Sequence, residues 1–180
     1  MPKDSNRPIQ ILGAGKYLQL VKRDHWEWAQ RPSAHDAAVI IATDEQGNLI
    51  LVEQYRYPLD ARTIELPAGL IGDEPDHSGE ETLAAARREL EEETGYQSDD
   101  WQILGRYASS AGMTSEAPVL VQARGCVKVG DGGGVDGEDI TVHLLAPNNA
   151  SSWLHDKRSN GYIIDVRVLV GMAMQHGFKL

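Results

Sequence analysis

The sequence has one cysteine, Cys126, and no long apolar run, and both shortages limit what the protein can be. A single thiol cannot form an internal disulfide and fits a reducing compartment. No apolar stretch approaches the roughly 20 residues of a membrane-spanning helix, and we find no signal peptide at the start of the sequence. These shortages predict a soluble cytoplasmic protein without a membrane partner.

Positive charge is also scarce. The 180 residues contain 17 Lys and Arg against 27 Asp and Glu, which gives a formal net charge of −10. A protein with this charge gets no help from its own field in binding nucleic acids, so we expect no nucleic-acid partner. A small phosphate-bearing substrate would need metal ions or local arginines at its site. The length and a 41% hydrophobic composition predict one main domain with a small appendage.

Glutamates concentrate in the segment 80–96, which reads EETLAAARRELEEETGY. Ser78 and Glu81 form a capping box, and Gly95 suits the left-handed conformation that ends a helix, so we predict a helix from about 79 to 94. Leu83, Ala86 and Leu90 make a narrow apolar stripe at helical spacing.

Three carboxylates converge beside this stripe. At 100° per residue, Glu89, Glu92 and Glu93 fall within about 100° of one another, whereas Glu91 points to the other side. They repel each other and the negative end of the helix dipole. One interpretation is a surface helix stabilised by the two arginines one turn earlier, and the other is a site for hard divalent cations with oxygen ligands.

The rest of the sequence alternates strands with few helices, which favours a mixed sheet. Predicted strands cover 17–22, 26–30, 36–43, 48–56, 62–66, 101–109, 119–127 and 140–145, and predicted helices cover 148–157 and about 165–176. The last helix would turn Val166, Leu169, Val170 and Met174 to one side. The glycine-rich residues 128–139 are either a solvent loop or a mobile loop that brings a carboxylate to the substrate.

The segment from Glu80 to Tyr96 follows the pattern E-x7-R-E-U-x-E-E-x-G-U, where U is a bulky apolar or aromatic residue. This pattern resembles the Nudix box. The similarity to the ADP-ribose pyrophosphatase group of the Nudix hydrolases extends from about 26 to 165. It rests on the box and on the segments W26-E27 with R31, E53-Q-Y-R56, E65-L-P-A-G69 and G137-E-D-I140. The sequence departs from the family at the loop 70–79, which is longer, and at Ala111, where the ADP-ribose-specific pattern usually has proline.

This resemblance implies an α/β (α+β) fold, in which an α/β/α sandwich surrounds a mixed β-sheet. It implies an N-terminal strand region at 1–34 and a catalytic domain at 35–180. Family members of this kind are usually homodimers in which the N-terminal region crosses to the partner.

The resemblance also implies roles for individual residues. Mg²⁺, or alternatively Mn²⁺, would be held by Glu89, Glu92, Glu93, Glu138 and the main-chain carbonyl of Ala68. Arg88 would orient the glutamates, Arg31 and Arg56 would hold phosphate, and Trp26 would stack on the base unless it serves packing. The general base is open among Asp136, Glu138 and Glu116.

The function that this resemblance implies is an Mg²⁺-dependent pyrophosphatase. Its substrate would be ADP-ribose or a related nucleoside diphosphate sugar, and its products a nucleoside monophosphate and a sugar phosphate. One alternative is a Nudix hydrolase of nucleoside triphosphates or dinucleoside polyphosphates. A less favoured alternative is a non-catalytic Nudix module that senses a nucleotide.

Overall fold

The computed structural model describes residues 7–32, 36–72, 80–135 and 137–180. Its N-terminal part is a small antiparallel sheet of β1 (Gln10–Ala14), β2 (Gln19–Arg23) and β3 (Trp26–Gln30). The turn between β2 and β3 places Asp24 in the left-handed region, with φ of 55°. The predicted β2–β3 hairpin is confirmed. Strand β1 was not predicted, because its segment is short and reads as polar and glycine-containing.

Among the residues that the structure describes, the main sheet has nine strands in mixed orientation. Strand β4 pairs in parallel with β10, and β6 with β12, whereas the remaining pairs are antiparallel. The mixed sheet predicted from the sequence is therefore confirmed. Its strands are β4 (Ala37–Asp44), β5 (Leu49–Arg56), β6 (Ala61–Glu65), β7 (Ala68–Leu70), β8 (Tyr96–Gln97), β9 (Asp100–Arg106), β10 (Val119–Lys128), β11 (Thr141–Leu145) and β12 (Ile163–Ile164).

In the described part of the chain, three α-helices cover the two faces of this sheet: α1 (Thr82–Thr94), α2 (Ala150–Ser159) and α3 (Val166–Gln175). Strand β4 shows how the faces are assigned, because successive side chains of a strand point to opposite sides. Ala38 and Ile40 pack in a cluster with Leu90 of α1, whereas Val39 packs in a second cluster with Val168 of α3. This arrangement is the predicted α/β/α sandwich.

Within the described ranges, no helix has the length and apolarity to cross a membrane.

Helix α3 presents only part of the predicted face to the core, since Val170 and Met174 pack against the second cluster but the other two predicted residues do not. Val168 and Gly171 are its buried residues, whereas Val166 and Leu169 are exposed. The reason is Gly171, which lacks a side chain and lies against the side chains of Leu49 and Leu66. The close approach at Gly171 therefore sets the orientation of α3, and the spacing of large apolar residues does not reveal this orientation.

Helix α1 begins later than predicted. It starts at Thr82, and Glu81 occupies the N-cap position without a side-chain capping bond. Ser78, the predicted cap, lies outside the described residues. The end at Gly95 is as predicted, with φ of 71° and the Gly95 amide bonded to the Glu91 carbonyl.

Candidate functional site

Arg88 organises the carboxylates of α1. Its Nη1 lies 2.9 Å from Glu89 Oε1 and 3.0 Å from Glu92 Oε2, and its Nη2 lies 3.3 Å from Glu80 Oε2. Burial by itself lowers the pKa of Arg88, but these carboxylates more than offset it and raise the pKa overall. One guanidinium thus contacts three glutamates, and the orienting role of Arg88 stays a prediction.

Glu93 is a buried acid with little compensation. Its carboxylate accepts a hydrogen bond from the Ala68 amide at 3.0 Å, and the residue is only 5% exposed. The pKa of Glu93 is raised to about 8, chiefly by burial and also by the charges of Glu89 and Glu138, against the opposing effect of the Ala68 hydrogen bond. A strongly perturbed carboxylate beside others of the same sign indicates a functional site and suits a cation.

Gly69 brings Glu89 into the same region. A Cβ at position 69 would overlap the Glu89 carboxylate, so this side chain lies directly on the main chain of β7. Ala68, the residue before it, donates its amide to Glu93. The structure therefore brings Glu89 and Glu93 to the main chain of Ala68 and Gly69.

Replacing Gly69 with alanine should lower activity far more than stability. The added methyl group would displace the flexible end of Glu89, which can move at little cost to the fold. If Glu89 serves as the predicted metal ligand, we expect kcat to fall by about 10- to 100-fold, the usual cost of disturbing a ligand from its outer shell. Steady-state kinetics and a thermal unfolding curve of Gly69→Ala would check this. Gly13→Ala is the control, because a Cβ there meets nothing within 4 Å.

The glycine-rich segment is packed against the C-terminal end of α1. The Gly133 amide donates to the Glu93 carbonyl at 2.9 Å, and the Gly134 amide donates to the Glu92 carbonyl at 3.0 Å. The Val129 amide likewise donates to the Gly95 carbonyl at 2.8 Å. These bonds satisfy carbonyl groups that a helix end leaves without partners. The described part of the segment is therefore structural support for the helix that holds the carboxylates.

Glycine is required at position 132 for this contact. Gly132 has φ of 70°, and a Cβ there would overlap the main chain of Thr94 and Gly95. The glycine-rich composition could indicate a loose loop, but here glycine is needed because the main chain at Gly132 approaches that at Thr94 and Gly95.

Glu138 follows this segment and lies near the buried acid. Its carboxylate accepts a hydrogen bond from the Val135 amide at 3.2 Å, and its charge contributes to the raised pKa of Glu93. Asp136, the other acid predicted here, lies outside the described residues.

The donor set has the right chemistry for a hard divalent cation, since carboxylate and carbonyl oxygens are the ligands such ions take. Among the described residues, however, no three acidic, histidine or cysteine side chains are placed to hold a metal together. Glu89 and Glu92 point to Arg88, and Glu93 points to the Ala68 amide. The residues suit the ion, and binding one together would require their carboxylates to come closer to one another than they do here.

Arg56 faces the same region from β5. It forms a bidentate pair with Glu65, at 2.7 and 2.8 Å. The hydrogen bond to Glu65 is the main cause that raises the pKa of Arg56, and the charge of Glu93 adds to it. The predicted phosphate-binding arginine is thus held beside the acidic cluster.

Arg167 joins this group and was not predicted. It lies in the first turn of α3 and pairs with Asp165 through two bonds of 2.8 and 2.5 Å. Hydrogen bonding to Asp165 raises the pKa of Arg167, and the charges of Glu65 and Glu116 also raise it. No local pattern marks this arginine, because its neighbours come from strands and loops distant in the sequence.

A second part of the site is a cavity of about 640 Å³ beside β3. Arg31 and Glu116 line it and form an ion pair at 3.5 Å. Glu116 also accepts a hydrogen bond from the Ser109 hydroxyl at 3.1 Å. Trp26, the predicted base-stacking residue, is 58% exposed at the other end of β3 and does not line this cavity. Arg31 and Glu116 are therefore brought together, and Trp26 lies apart from them.

Comparisons with known proteins place these features in context. The family model described as "NUDIX domain" matches residues 33–160. The chain is 36% identical over 124 residues to the methanol dehydrogenase activator of Bacillus methanolicus, covering 68% of this chain and 64% of that protein. It is 39% identical over 94 residues to an ADP-ribose pyrophosphatase of Mycobacterium tuberculosis, covering 52% of this chain and 44% of that protein. The matches thus span less than two thirds of the length of these relatives.

A solved structure described as an ADP compounds hydrolase has a similar fold. Its TM-score is 0.65 at 20% identity, covering 83% of this chain and 81% of the other. At this identity the likeness concerns the fold alone.

Proposed function

The chain belongs to the NUDIX domain family, and from this premise we propose that it is a metal-dependent pyrophosphatase of ADP-ribose or related nucleoside diphosphate sugars. The observation that supports it most is that Glu93 accepts the Ala68 amide while Glu89 lies against Gly69 and the charge of Glu138 acts on Glu93. The named relatives include an ADP-ribose pyrophosphatase, which supports this substrate class. The products would be a nucleoside monophosphate and a sugar phosphate.

The metal ligands in this proposal are Glu89, Glu92, Glu93, Glu138 and the carbonyl of Ala68, and the ion is Mg²⁺, with Mn²⁺ as a substitute. When bound, such ions supply charge neutralisation to a pyrophosphate group. Arg88 orients Glu89 and Glu92, as its two short contacts with them suggest.

Glu138 is the general base that we favour. Among the candidate acids that the structure describes, Glu138 is the one whose charge contributes to the raised pKa of Glu93. Glu116 is bound to Arg31 and Ser109 at the cavity beside β3, where it could instead contact substrate. A base within hydrogen-bond reach of the attacking water typically contributes about 10²- to 10⁴-fold to the rate.

Phosphate would be held by Arg56 and Arg31, and the new candidate Arg167 would assist. Arg56 is paired with the carboxylate of Glu65, and Arg167 with that of Asp165. Their guanidinium planes are therefore oriented before substrate arrives. The cavity beside β3 is large enough for a nucleoside, since ligand pockets typically measure about 300 to 1,000 Å³.

A homodimer is part of the proposal. The N-terminal sheet exposes apolar side chains on β1, β2 and the turn between them, namely Ile11, Leu12, Leu18 and Leu20, and Trp26 follows on β3. A cluster of exposed apolar residues on a small sheet suits an interface. A partner subunit covering this sheet would also give Trp26 a place to stack on a base.

A substrate panel tests the proposal. The wild-type protein would be incubated with ADP-ribose, other nucleoside diphosphate sugars, nucleoside triphosphates and dinucleoside polyphosphates, with Mg²⁺ or with a chelator. We expect a monophosphate and a sugar phosphate from the first two groups, and only with metal. Fastest turnover of triphosphates would favour the first alternative. Nucleotide binding by calorimetry without any turnover would favour the sensing module and contradict our proposal.

A further inference from the structure

A second polar cluster lies in the sheet layer that faces α2, away from the acidic site. At its centre is Glu53 of β5, a carboxylate that is only 7% exposed. His143 Nε2 and Lys157 Nζ each lie 2.8 Å from its Oε2, and the Tyr162 hydroxyl lies 3.2 Å from its Oε1. Burial by itself raises the pKa of Glu53, but the bonds from Lys157 and His143 lower it overall. Glu53 is therefore a charged anchor with several donors.

Arg62 connects this anchor to the segment that bears Glu138. Its Nη1 lies 3.3 Å from Glu53 Oε1, while its Nη2 pairs with the carboxylate of Asp139. Asp139 is the residue directly after Glu138. The Arg62 guanidinium thus bridges the buried carboxylate of Glu53 and the side chain of Asp139, the residue next to Glu138.

Glu138 is consequently fixed from two directions. On the N-terminal side, the amides of Gly133 and Gly134 bind the end of α1. On the C-terminal side, Asp139 is bound to Arg62, and the next residue, Ile140, is buried. The Glu138 amide also donates to the Val135 carbonyl at 3.1 Å, which closes the turn between these two attachments.

We propose that Arg62 is a positioning residue, which holds Glu138 at the acidic site through Asp139 and is itself oriented by Glu53. This inference rests on the proposed function for the role of Glu138. Arg62 itself contacts neither metal nor substrate in this proposal. It acts on Glu138 through the side chain of Asp139.

The Arg62–Asp139 pair is exposed, and such a pair usually contributes little to stability, so its loss should appear in the site and not in the fold. Arg62 differs from an isolated surface arginine because Glu53 restricts its guanidinium before Asp139 binds. Residues that orient a metal ligand or base through a hydrogen bond typically cost about 10- to 100-fold in affinity or activity when replaced.

The experiment compares Arg62→Gln and Asp139→Asn with the wild-type protein. Amide hydrogen exchange of the metal-free protein, measured on peptides covering 135–140, reads the segment directly. We expect both variants to lose protection there and to keep the wild-type unfolding temperature. We also expect kcat to fall by about 10- to 100-fold in both variants. Arg124→Gln is the matched control, since Arg124 is a strand arginine that contacts Asp100, Gln102 and Gln122 away from the site.

A double-mutant cycle with Glu138→Gln separates positioning from a general effect. If Arg62 acts through Glu138, Arg62→Gln lowers kcat in the wild-type background and adds nothing in the Glu138→Gln background. Equal losses in both backgrounds, or unchanged exchange at 135–140 in Asp139→Asn, would overturn the inference. If Arg62→Gln does not fold, Asp139→Asn decides, because it leaves the contacts of Glu53 intact. Hydrogen exchange remains informative even if the substrate panel contradicts the proposed function.

Discussion

Replacing Glu93 with glutamine is expected to lower kcat by at least about 100-fold, because loss of a metal ligand should exceed the usual 10- to 100-fold cost of disturbing its outer shell. Glutamine has nearly the same shape, and its carbonyl oxygen can still accept the Ala68 amide that Glu93 binds at 3.0 Å. The substitution therefore removes the ability of this side chain to ionise and bind a cation, and it preserves the packing. Steady-state kinetics on the preferred substrate of the panel would measure the loss, and circular dichroism would check the fold.

Glu91→Gln is the control for this experiment. Glu91 lies on the same helix but is exposed, and its carboxylate binds only the side chain of Gln97 among the contacts described, at 2.7 Å. We expect this variant to keep wild-type kcat. Turnover by Glu93→Gln within a few-fold of wild type would contradict the metal-site hypothesis.

The carboxylates of α1 were predictable because their arrangement is local. Helical geometry fixes the angles between Glu89, Glu92 and Glu93 once the segment is known to be helical. It also predicts that Arg88 and Glu92, four residues apart, meet on the surface, as they do at 3.0 Å. Glu91 was correctly separated from the group by the same geometry.

Contacts between distant segments were not predictable in this way. Arg167 approaches Glu65 and Glu116 because α3 begins beside β6, where the Asp165 amide donates to the Ile64 carbonyl at 2.9 Å. The sequence between these residues does not encode that neighbourhood in any local pattern. The Arg62 bridge has the same origin, since its two carboxylates are 9 residues before it and 77 residues after it.

Glycine was the residue type most easily misinterpreted. The segment 128–139 has the composition of a flexible loop, yet Gly132 is needed where two main chains approach and φ is 70°. At Gly171 the missing side chain lets α3 approach Leu49, which turns Leu169 outward. In both cases the glycine marks a close contact, and only the partner segment shows which one.

The stability of the metal-free protein should decrease as pH rises, relative to the Glu93→Gln variant. Burial raises the pKa of Glu93 from its ordinary value of 4.5 to about 8. Between these two values the native state keeps a proton that the unfolded chain has lost. The free energy of unfolding then falls with increasing pH, because its slope follows the protons bound by the unfolded state minus those bound by the native state. The stabilisation is fully present below pH 4.5 and is lost by about pH 8.

Urea denaturation in the presence of a chelator, at several pH values from about 5 to about 8, would measure this effect. Glu93→Gln cannot titrate at this position, so the difference in unfolding free energy between the two proteins isolates Glu93. Each unit of pKa shift corresponds to about 1.4 kcal/mol, so the difference should reach a few kcal/mol at the upper end. Parallel curves for the two proteins would contradict the buried-acid account of Glu93. Saturating Mg²⁺ should reverse the trend in the wild-type protein alone, because metal binding favours the deprotonated carboxylate and strengthens as pH rises.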